Sequence, residues 1–195
     1  MQVIGLTGSM ASGKSSVVRR IRTILKWPIW DADAEVQKLY RQPIIVQRIL
    51  HQFPEVFSNQ GLDRQKLRHI VSENSIALAT LESILYPELG KSRQRFLAHH
   101  QRLRTSVVLL DIPLLFENNL ETLCDLTVVI KCPEWLQKQR IMKRPGMTEA
   151  LMHRLLGRQS AQREKQQRAD IIIDSSLNHH HTWIQFITMV VGEIQ

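Results

Sequence analysis

Residues 8–15 (GSMASGKS) restrict the possible folds of this chain more than any other part of the sequence. They match the pattern G-x-x-x-x-G-K-[ST], which is typical of a loop that binds phosphates. The apolar run at 2–6 predicts a short buried strand before the loop, and the spacing of apolar residues over 14–25 predicts a helix after it. The pattern therefore has the strand, loop and helix context that it requires.

Each residue type in the loop has a chemical reason to be there. Glycine at positions 8 and 13 lets the backbone turn, so that amide groups and a helix N-terminus face a phosphate. Lys14 can neutralise β- and γ-phosphate oxygens, and the Ser15 hydroxyl can ligate Mg²⁺. We therefore expect a nucleoside triphosphate and Mg²⁺ here. The residues expected to bind the nucleotide are Gly8, Ala11, Ser12, Gly13, Lys14, Ser15 and Ser16.

Beyond the loop, strand-like runs alternate with helical spacing, which is typical of an α/β fold. Further strands are predicted at 27–30, 106–110, 126–131 and 171–173. We expect a doubly wound parallel sheet of the P-loop nucleoside-triphosphate hydrolase or kinase type, with ligands beyond the carboxyl ends of the strands. Residues 1–195 form one domain in this interpretation, with a core of 1–33, 104–143 and 169–195, a helical insertion of 34–103 and a helical lid of 144–168.

The positive charge of the chain is concentrated in one segment. The net charge is +8, and residues 138–168 carry nine Lys or Arg against two Asp or Glu. This excess indicates an anionic partner. A nucleic-acid or membrane surface, a solvated basic face and a flap that closes over phosphates all remain open from composition alone.

Cysteine content and hydropathy indicate a cellular compartment. Two cysteines, Cys124 and Cys132, form neither a disulfide framework nor a zinc ligand set, which favours reduced thiols in the cytoplasm. No apolar run approaches the roughly 18 residues of a membrane span. We therefore expect a cytoplasmic protein without a membrane partner.

A nucleoside triphosphate site fits GTPases, motor ATPases and small-molecule kinases. The GTPase motif Asn-Lys-x-Asp does not occur, and 195 residues leave little room for motor modules. Asp33 follows the predicted strand at 27–30, which we expect beside the phosphate loop, and its carboxylate could face an acceptor hydroxyl near the γ-phosphate. The alternative for Asp31 or Asp33 is to cap the next helix. Asp111, at another strand end, could hold Mg²⁺ through water or serve as a buried structural carboxylate.

Four segments together carry a family resemblance. They are residues 5–8 (GLTG) with the phosphate loop, 31–33 (DAD), 111–117 (DIPLLFE) and 169–174 (ADIIID). Their order and spacing resemble the dephospho-CoA kinase family over almost the whole chain. The resemblance implies ATP-dependent phosphorylation of the ribose 3′-hydroxyl of dephospho-CoA, the last step of coenzyme A synthesis. It also implies a small-molecule substrate and no nucleic-acid partner.

The resemblance assigns roles to individual residues. Asp33 matches the general base, and Arg140 and Arg144 match arginines that approach the triphosphate from the lid side, so that the implied catalytic residues are these three with Lys14. The insertion at 34–103 matches the region that receives the adenine and the pantetheine arm. The residues implied to border the acceptor are Asp33, Tyr86, Leu114, Leu115 and Glu117, and those implied to hold Mg²⁺ are Ser15 and Asp111.

Three positions depart from the family pattern. Ser9 replaces a glycine, Tyr86 replaces a histidine that precedes proline, and Leu155 replaces a lid arginine, with Arg154 and Arg158 nearby. Two other functions remain open: a P-loop nucleoside or nucleotide kinase with another acceptor, and an ATP-regulated nucleic-acid-binding protein.

Overall fold

The computed structural model describes residues 1–58, 61–157 and 162–194, without the side chains of 154 and 155. The position of Leu155, and of Arg154 and Arg158 as its substitutes, lies outside this description. The chain forms two compact units, one of Met1–Trp30 with His100–Gln195 and one of Asp31–His99.

The described strands are β1 (Gln2–Gly8), β2 (Ile29–Asp31), β3 (Phe57–Ser58), β4 (Gly61–Leu62), β5 (Val107–Asp111), β6 (Leu126–Lys131) and β7 (Ile171–Asp174). Five of them form the sheet of the first unit, in the order β2-β5-β1-β6-β7. β5 and β6 both pair in parallel with β1, and β7 pairs in parallel with β6. The parallel α/β sheet predicted from the sequence is confirmed.

One expected neighbour relation is wrong. The strand predicted at 27–30 was expected beside the phosphate loop that follows β1. In the sheet, β5 lies between β2 and β1. All five residues of β5 are buried, as suits a central strand. β2 has three residues and follows Pro28, which has no amide hydrogen to donate, so an edge position suits it better.

Helices cover most of the remaining described chain. α1 and α9 continue into π-helical turns at Ile21–Leu25 and Ile187–Val191. Single 3₁₀ turns occur at Pro54–Val56 and Leu120–Leu123. The helices are α1 (Lys14–Arg20), α2 (Ala32–Leu39), α3 (Pro43–Gln52), α4 (Arg64–Glu73), α5 (Ser75–Arg102), α6 (Glu134–Met142), α7 (Glu149–Leu156), α8 (Gln162–Arg168), α9 (His179–Phe186) and α10 (Gly192–Ile194).

The core of the first unit fixes the strand ends that carry the loop. Ile4 and Leu6 of β1, with Val17 of α1, are buried in one apolar cluster. Trp183 of α9 stacks on Phe186 with ring centroids 5.6 Å apart in the same cluster. Burial of large apolar side chains is the main stabilising contribution in such a core. It holds the strand and the helix on either side of residues 9–13 in place.

The second unit is an α-helical body with its own core. Ile45 and Ile49, four residues apart on α3, pack with Leu81 and Leu85 of α5 in one cluster. It also contains the short antiparallel pair of β3 and β4, in which Phe57 is opposite Leu62. Two-residue strands give no alternating pattern, and the sequence therefore predicted helices alone. Among the described helices, none has the length and apolar character of a membrane span.

Candidate active site

The loop after β1 has the backbone of an anion cradle. Ala11 has φ 60° and Gly13 φ 96°, both in the left-handed region. Alternation of right- and left-handed residues turns successive amides toward one side. The amide of Ser12 closes a turn on the Ser9 carbonyl at 3.0 Å. A Cβ atom on Gly8 would lie 2.7 Å from the carbonyl oxygen of Ile130, so this position requires glycine.

The lysine of the loop meets the acid at the end of β5. Leu6 of β1 is in register with Asp111, which brings the carboxyl ends of the two strands to one edge of the sheet. Lys14 Nζ forms an ion pair with Asp111 Oδ1, and the two side chains are 15% and 7% exposed. The structure thus places the expected phosphate-binding cation and the expected metal-binding acid in direct contact.

The loop also offers oxygen atoms that suit a nucleotide and Mg²⁺. The Ser12 hydroxyl is buried without a hydrogen-bond partner among the described residues, and such a group usually has one. Ser15 lies exposed in the first turn of α1, where the Ser16 amide donates to the Gly13 carbonyl at 3.0 Å. A serine hydroxyl and a carboxylate fit Mg²⁺, which takes few protein ligands and completes its shell with phosphate and water.

The two arginines expected near the triphosphate have different surroundings. Arg140 Nη1 donates to the Ala11 carbonyl at 3.3 Å, and its Nη2 donates to the Ser175 carbonyl at 2.9 Å. Arg144 lies two residues after the end of α6 with an exposed side chain. Arg140 is therefore bound to the loop itself in this structure, whereas Arg144 faces solvent.

The segment expected to border the acceptor is partly core. Leu115 is fully buried, and its Cδ2 lies 3.1 Å from the place of a Cβ on Gly5, whereas Leu114 is half-buried. Glu117 Oε1 is 2.8 Å from Nζ of Lys165, whose side chain is fully buried. No sequence pattern indicated this ion pair, because Lys165 stands among the basic residues of 138–168.

The remaining expected residues belong to the second unit. Asp31 caps α2, since its Oδ1 accepts a hydrogen bond from the Ala34 amide at 2.9 Å. Asp33 is exposed in the first turn of that helix. Tyr86 is 40% exposed and precedes Pro87 inside α5. The two carboxylates of the Asp-Ala-Asp segment thus differ, and the cap is Asp31.

The last of the four segments that carry the resemblance, residues 169–174, contains two acids that bind neighbouring strands. Asp170 Oδ2 accepts hydrogen bonds from the amide and the hydroxyl of Thr127, at 2.7 and 2.6 Å. Burial acts to raise the pKa of Asp174 at the end of β7, but hydrogen bonds from Ser176 and the charge of Lys131 outweigh it, so that the pKa is lowered. Asp170 thus connects the start of β7 to β6, and Asp174 is held by Lys131 at the end of β6 and by the Ser176 amide.

Comparison with known proteins gives a consistent result. The family model described as dephospho-CoA kinase matches residues 2–180. A dephospho-CoA kinase of Bradyrhizobium diazoefficiens is 38% identical over 176 residues, which cover 90% of this chain and 87% of that protein. One of Bartonella henselae is 36% identical over 190 residues and 97% of both chains.

Solved structures agree at the level of the fold and the family. A protein of Thermus thermophilus superposes with a TM-score of 0.86 at 27% identity, covering 100% of this chain and 98% of that one. The dephospho-CoA kinase of Campylobacter jejuni gives a TM-score of 0.63 at 26% identity, covering 100% and 97%. Shikimate kinase of Aquifex aeolicus, at 19% identity and a TM-score of 0.52, shares the fold alone. With a family match over nearly the whole chain and this phosphate loop at the end of β1, the chain belongs to the dephospho-CoA kinase family.

Proposed function

We propose that this chain transfers the γ-phosphoryl group of ATP to the ribose 3′-hydroxyl of dephospho-CoA, giving coenzyme A and ADP. The observation that carries the proposal is the contact between Lys14 of the phosphate loop and Asp111 of β5 in a chain of this family. It places a cation and a carboxylate at the edge of the sheet where ligands of such folds bind. A cytoplasmic location stays a prediction.

The loop stabilises the charge of the transferred group. Phosphoryl transfer passes through a loose transition state, so catalysis depends on positioning and electrostatic stabilisation. Amides of residues 11 and 13–15 and the Lys14 ammonium bind the β- and γ-phosphate oxygens. Asp111 orients the Lys14 ammonium before the nucleotide binds. Ser15 and Asp111 would hold Mg²⁺, which neutralises phosphate charge when it is bound.

Asp33 is the general base of this proposal. Asp33 is an exposed residue in the first turn of α2, and the N-cap of that helix is Asp31, whose carboxylate accepts from the Ala34 amide. Asp33 orients the 3′-hydroxyl and accepts its proton as the oxygen attacks the γ-phosphorus, and ADP leaves. Leu114, Glu117 and Tyr86 are proposed to contact the acceptor. For Leu115 we propose a packing role, because its side chain is fully buried.

The lid in this proposal is shorter than the sequence indicated. Pro145 and Gly146, the latter with φ 73°, form a turn before α7, which the Thr148 hydroxyl caps at 3.2 Å from the Leu151 amide. α8 carries the buried Lys165 and is tied to Glu117. We therefore assign lid closure to 144–157, and Arg144 to the charge that reaches the triphosphate on closure.

The nucleic-acid alternative is less favoured by the same contacts. Arg140 donates to backbone carbonyls, and Lys165 pairs with Glu117. Arg168 pairs with Glu121, and its guanidinium lies 5.0 Å from the centroid of the Phe116 ring. These charges stabilise the fold and do not form a free basic stripe. A nucleic-acid binder would show an affinity that falls steeply with salt.

An acceptor screen tests the proposal. ADP release is measured with dephospho-CoA, adenosine, cytidine and shikimate at equal concentrations, using the wild type and Lys14→Ala. We expect turnover with dephospho-CoA alone and none with the variant, whose far-UV circular dichroism stays unchanged. Preferred turnover of adenosine, cytidine or shikimate would replace the proposed acceptor, and near wild-type activity of Lys14→Ala would overturn the site.

A further inference from the structure

Three successive carbonyl groups of the phosphate loop accept hydrogen bonds from side chains outside the loop. Gln137 Nε2 donates to the Met10 carbonyl at 2.8 Å. Arg140 Nη1 donates to the Ala11 carbonyl at 3.3 Å. The Ser175 hydroxyl donates to the Ser12 carbonyl. Each carbonyl from residue 10 to residue 12 therefore has its own external donor.

The three donors come from two elements and are joined to one another. Gln137 and Arg140 lie on α6, three residues apart and hence on one face of that helix. Ser175 directly follows β7, where its amide donates to the Lys131 carbonyl at 2.8 Å. Arg140 links the two elements, since it donates to the Ser175 hydroxyl at 3.2 Å and to the Ser175 carbonyl at 2.9 Å.

These donors are part of the interior. Gln137 is 6% exposed and Ser175 is 4% exposed. A buried polar group is retained at low cost only when it is hydrogen-bonded. Polar side chains of this kind specify one arrangement of their partners more sharply than an apolar contact would. The loop carbonyls are thus held by buried or partly buried side chains of α6 and of the residue that follows β7.

Because a peptide group is planar, fixing the direction of its carbonyl also fixes the direction of its amide hydrogen. In a trans peptide the carbonyl of one residue and the amide hydrogen of the next point in opposite directions. Fixing the carbonyls of Met10 and Ser12 therefore fixes the amide hydrogens of residues 11 and 13 toward the other side, and fixing the carbonyl of Ala11 holds the Ser12 amide in its turn on the Ser9 carbonyl. Ala11 has φ 60°, a strained value for alanine, and such values persist only where the surroundings impose them.

We propose that Gln137 and Ser175, joined through Arg140, are positioning residues that hold the loop amides in the geometry that nucleotide phosphates require. The inference rests on the proposed function only in taking the loop as the nucleotide site. It does not depend on the identity of the acceptor. Because the amides are held before binding, the nucleotide does not have to order the loop, and its affinity is higher.

A substitution at Gln137 tests the first donor. Gln137→Glu keeps the size of the side chain but places a carboxylate at pH 8 where the Met10 carbonyl needs a donor. We expect the affinity for ADP, measured by calorimetry at 25 °C, to fall by about tenfold or more. Gln139→Glu makes the same change at an exposed position of α6 and should leave ADP affinity within twofold of the wild type.

A substitution at Ser175 tests the second donor and the link between the two. Ser175→Ala should also weaken ADP, with Ser176→Ala as its neighbouring control. In the double variant Gln137→Glu/Ser175→Ala the two losses should be non-additive, since both act on one loop. In turnover assays the KM for ATP should rise while the KM for the acceptor stays within twofold.

The readouts separate positioning from a merely structural role. A structural role would lower the melting temperature of both variants while ADP affinity at 25 °C remained within twofold of the wild type, and that result would overturn the proposal. It is also overturned if the wild type does not bind ADP. A wild type that binds ADP but does not phosphorylate dephospho-CoA refutes the proposed acceptor and leaves the positioning result intact.

Discussion

Asp31 and Asp33 are the same residue type two positions apart, but the backbone conformation gives their side chains different roles. Asp31 has extended dihedral angles and accepts from the Ala34 amide, so its charge serves the start of α2. Asp33 lies inside the first turn and is exposed. The family resemblance already assigns the general base to Asp33, which stays a prediction, and the structure adds that Asp31 is the N-cap of α2.

The first prediction concerns that pair. Asp33→Asn removes the charge that accepts the proton of the hydroxyl but keeps one acceptor oxygen, and we expect kcat to fall by roughly 10²- to 10⁴-fold. The affinity for ATP should change little. Steady-state kinetics with dephospho-CoA measure both quantities.

Asp31→Asn is the matched control, because it makes the same change two residues away. It should cost about 1 kcal/mol of stability at most through a weaker cap and leave kcat within a few-fold of the wild type. Severe loss in Asp31→Asn beside normal turnover in Asp33→Asn would assign the base to the other carboxylate.

A second residue-scale prediction concerns the pH dependence of stability. Burial acts to raise the pKa of Glu35, but hydrogen bonds from Lys38 and Ser92 outweigh it, so that the pKa lies below its usual 4.5. The Ser92 hydroxyl, on α5, donates to Glu35 at 2.6 Å. The ionised carboxylate therefore stabilises the fold above about pH 4.5, and this contribution is lost as pH falls through the lowered pKa.

Glu35→Gln should accordingly lower the melting temperature most at pH 7 and least at pH 3. Thermal unfolding followed by circular dichroism at pH 7, 5 and 3 measures the difference. The change in melting temperature is compared at each pH with that of Glu82→Gln, which makes the same change of charge on α5. A Glu35→Gln effect that grew on acidification would contradict the assigned direction.

Residue type and spacing did not indicate which of the candidate side chains are buried. Ser9, which replaces a glycine of the family pattern, is not among the described residues with positive φ, so its backbone conformation does not require glycine. Leu115 matched an acceptor-bordering position and lies in the core. Lys165 gave no signal, because a buried cation is recognisable only once its partner Glu117 is placed beside it.

Helices and strands were more predictable than contacts. The strands β5 and β6 followed from their apolar runs. The pair β3 and β4 did not, since two residues give no period. Neither did the hydrogen bonds of Gln137 and Ser175 to the loop, which join residues more than 120 positions apart.

The prediction at the scale of elements concerns the lid. Arg144→Ala removes the exposed cation that we assign to the closed state, and kcat should fall by about 10²-fold with a smaller change in the KM for the acceptor. Lys143→Ala, at the neighbouring exposed position, is the control and should retain most of the activity.

Limited trypsin digestion measures closure independently of catalysis. Cleavage within 144–157 should slow when ADP and dephospho-CoA are both present, because a closed segment is less available to the protease. If cleavage proceeds at the same rate with both ligands at saturation, these residues do not close over the site.

For the molecule as a whole, the fold class could be predicted from the sequence because the patterns that indicate it are local. A phosphate loop between a strand and a helix, followed by alternating elements, fixes a parallel sheet with its site at one edge. The order of the strands in the sheet could not be predicted from the sequence. β2 and β5 are the same kind of apolar run, and they differ in burial and in length. The helical insertion expected at 34–103 followed from helical spacing, and the second compact unit of the structure is Asp31–His99.

The central claim, transfer to the 3′-hydroxyl, is tested most directly with two deoxy analogues of dephospho-CoA. The wild type is given 2′-deoxy- and 3′-deoxy-dephospho-CoA at equal concentrations with ATP and Mg²⁺, and the phosphorylated product is identified by mass spectrometry and ³¹P NMR. We predict phosphorylation of the 2′-deoxy analogue at its 3′-oxygen and no product from the 3′-deoxy analogue. A phosphorylated product from the 3′-deoxy analogue, or phosphate on any oxygen other than the 3′-oxygen, would contradict the account.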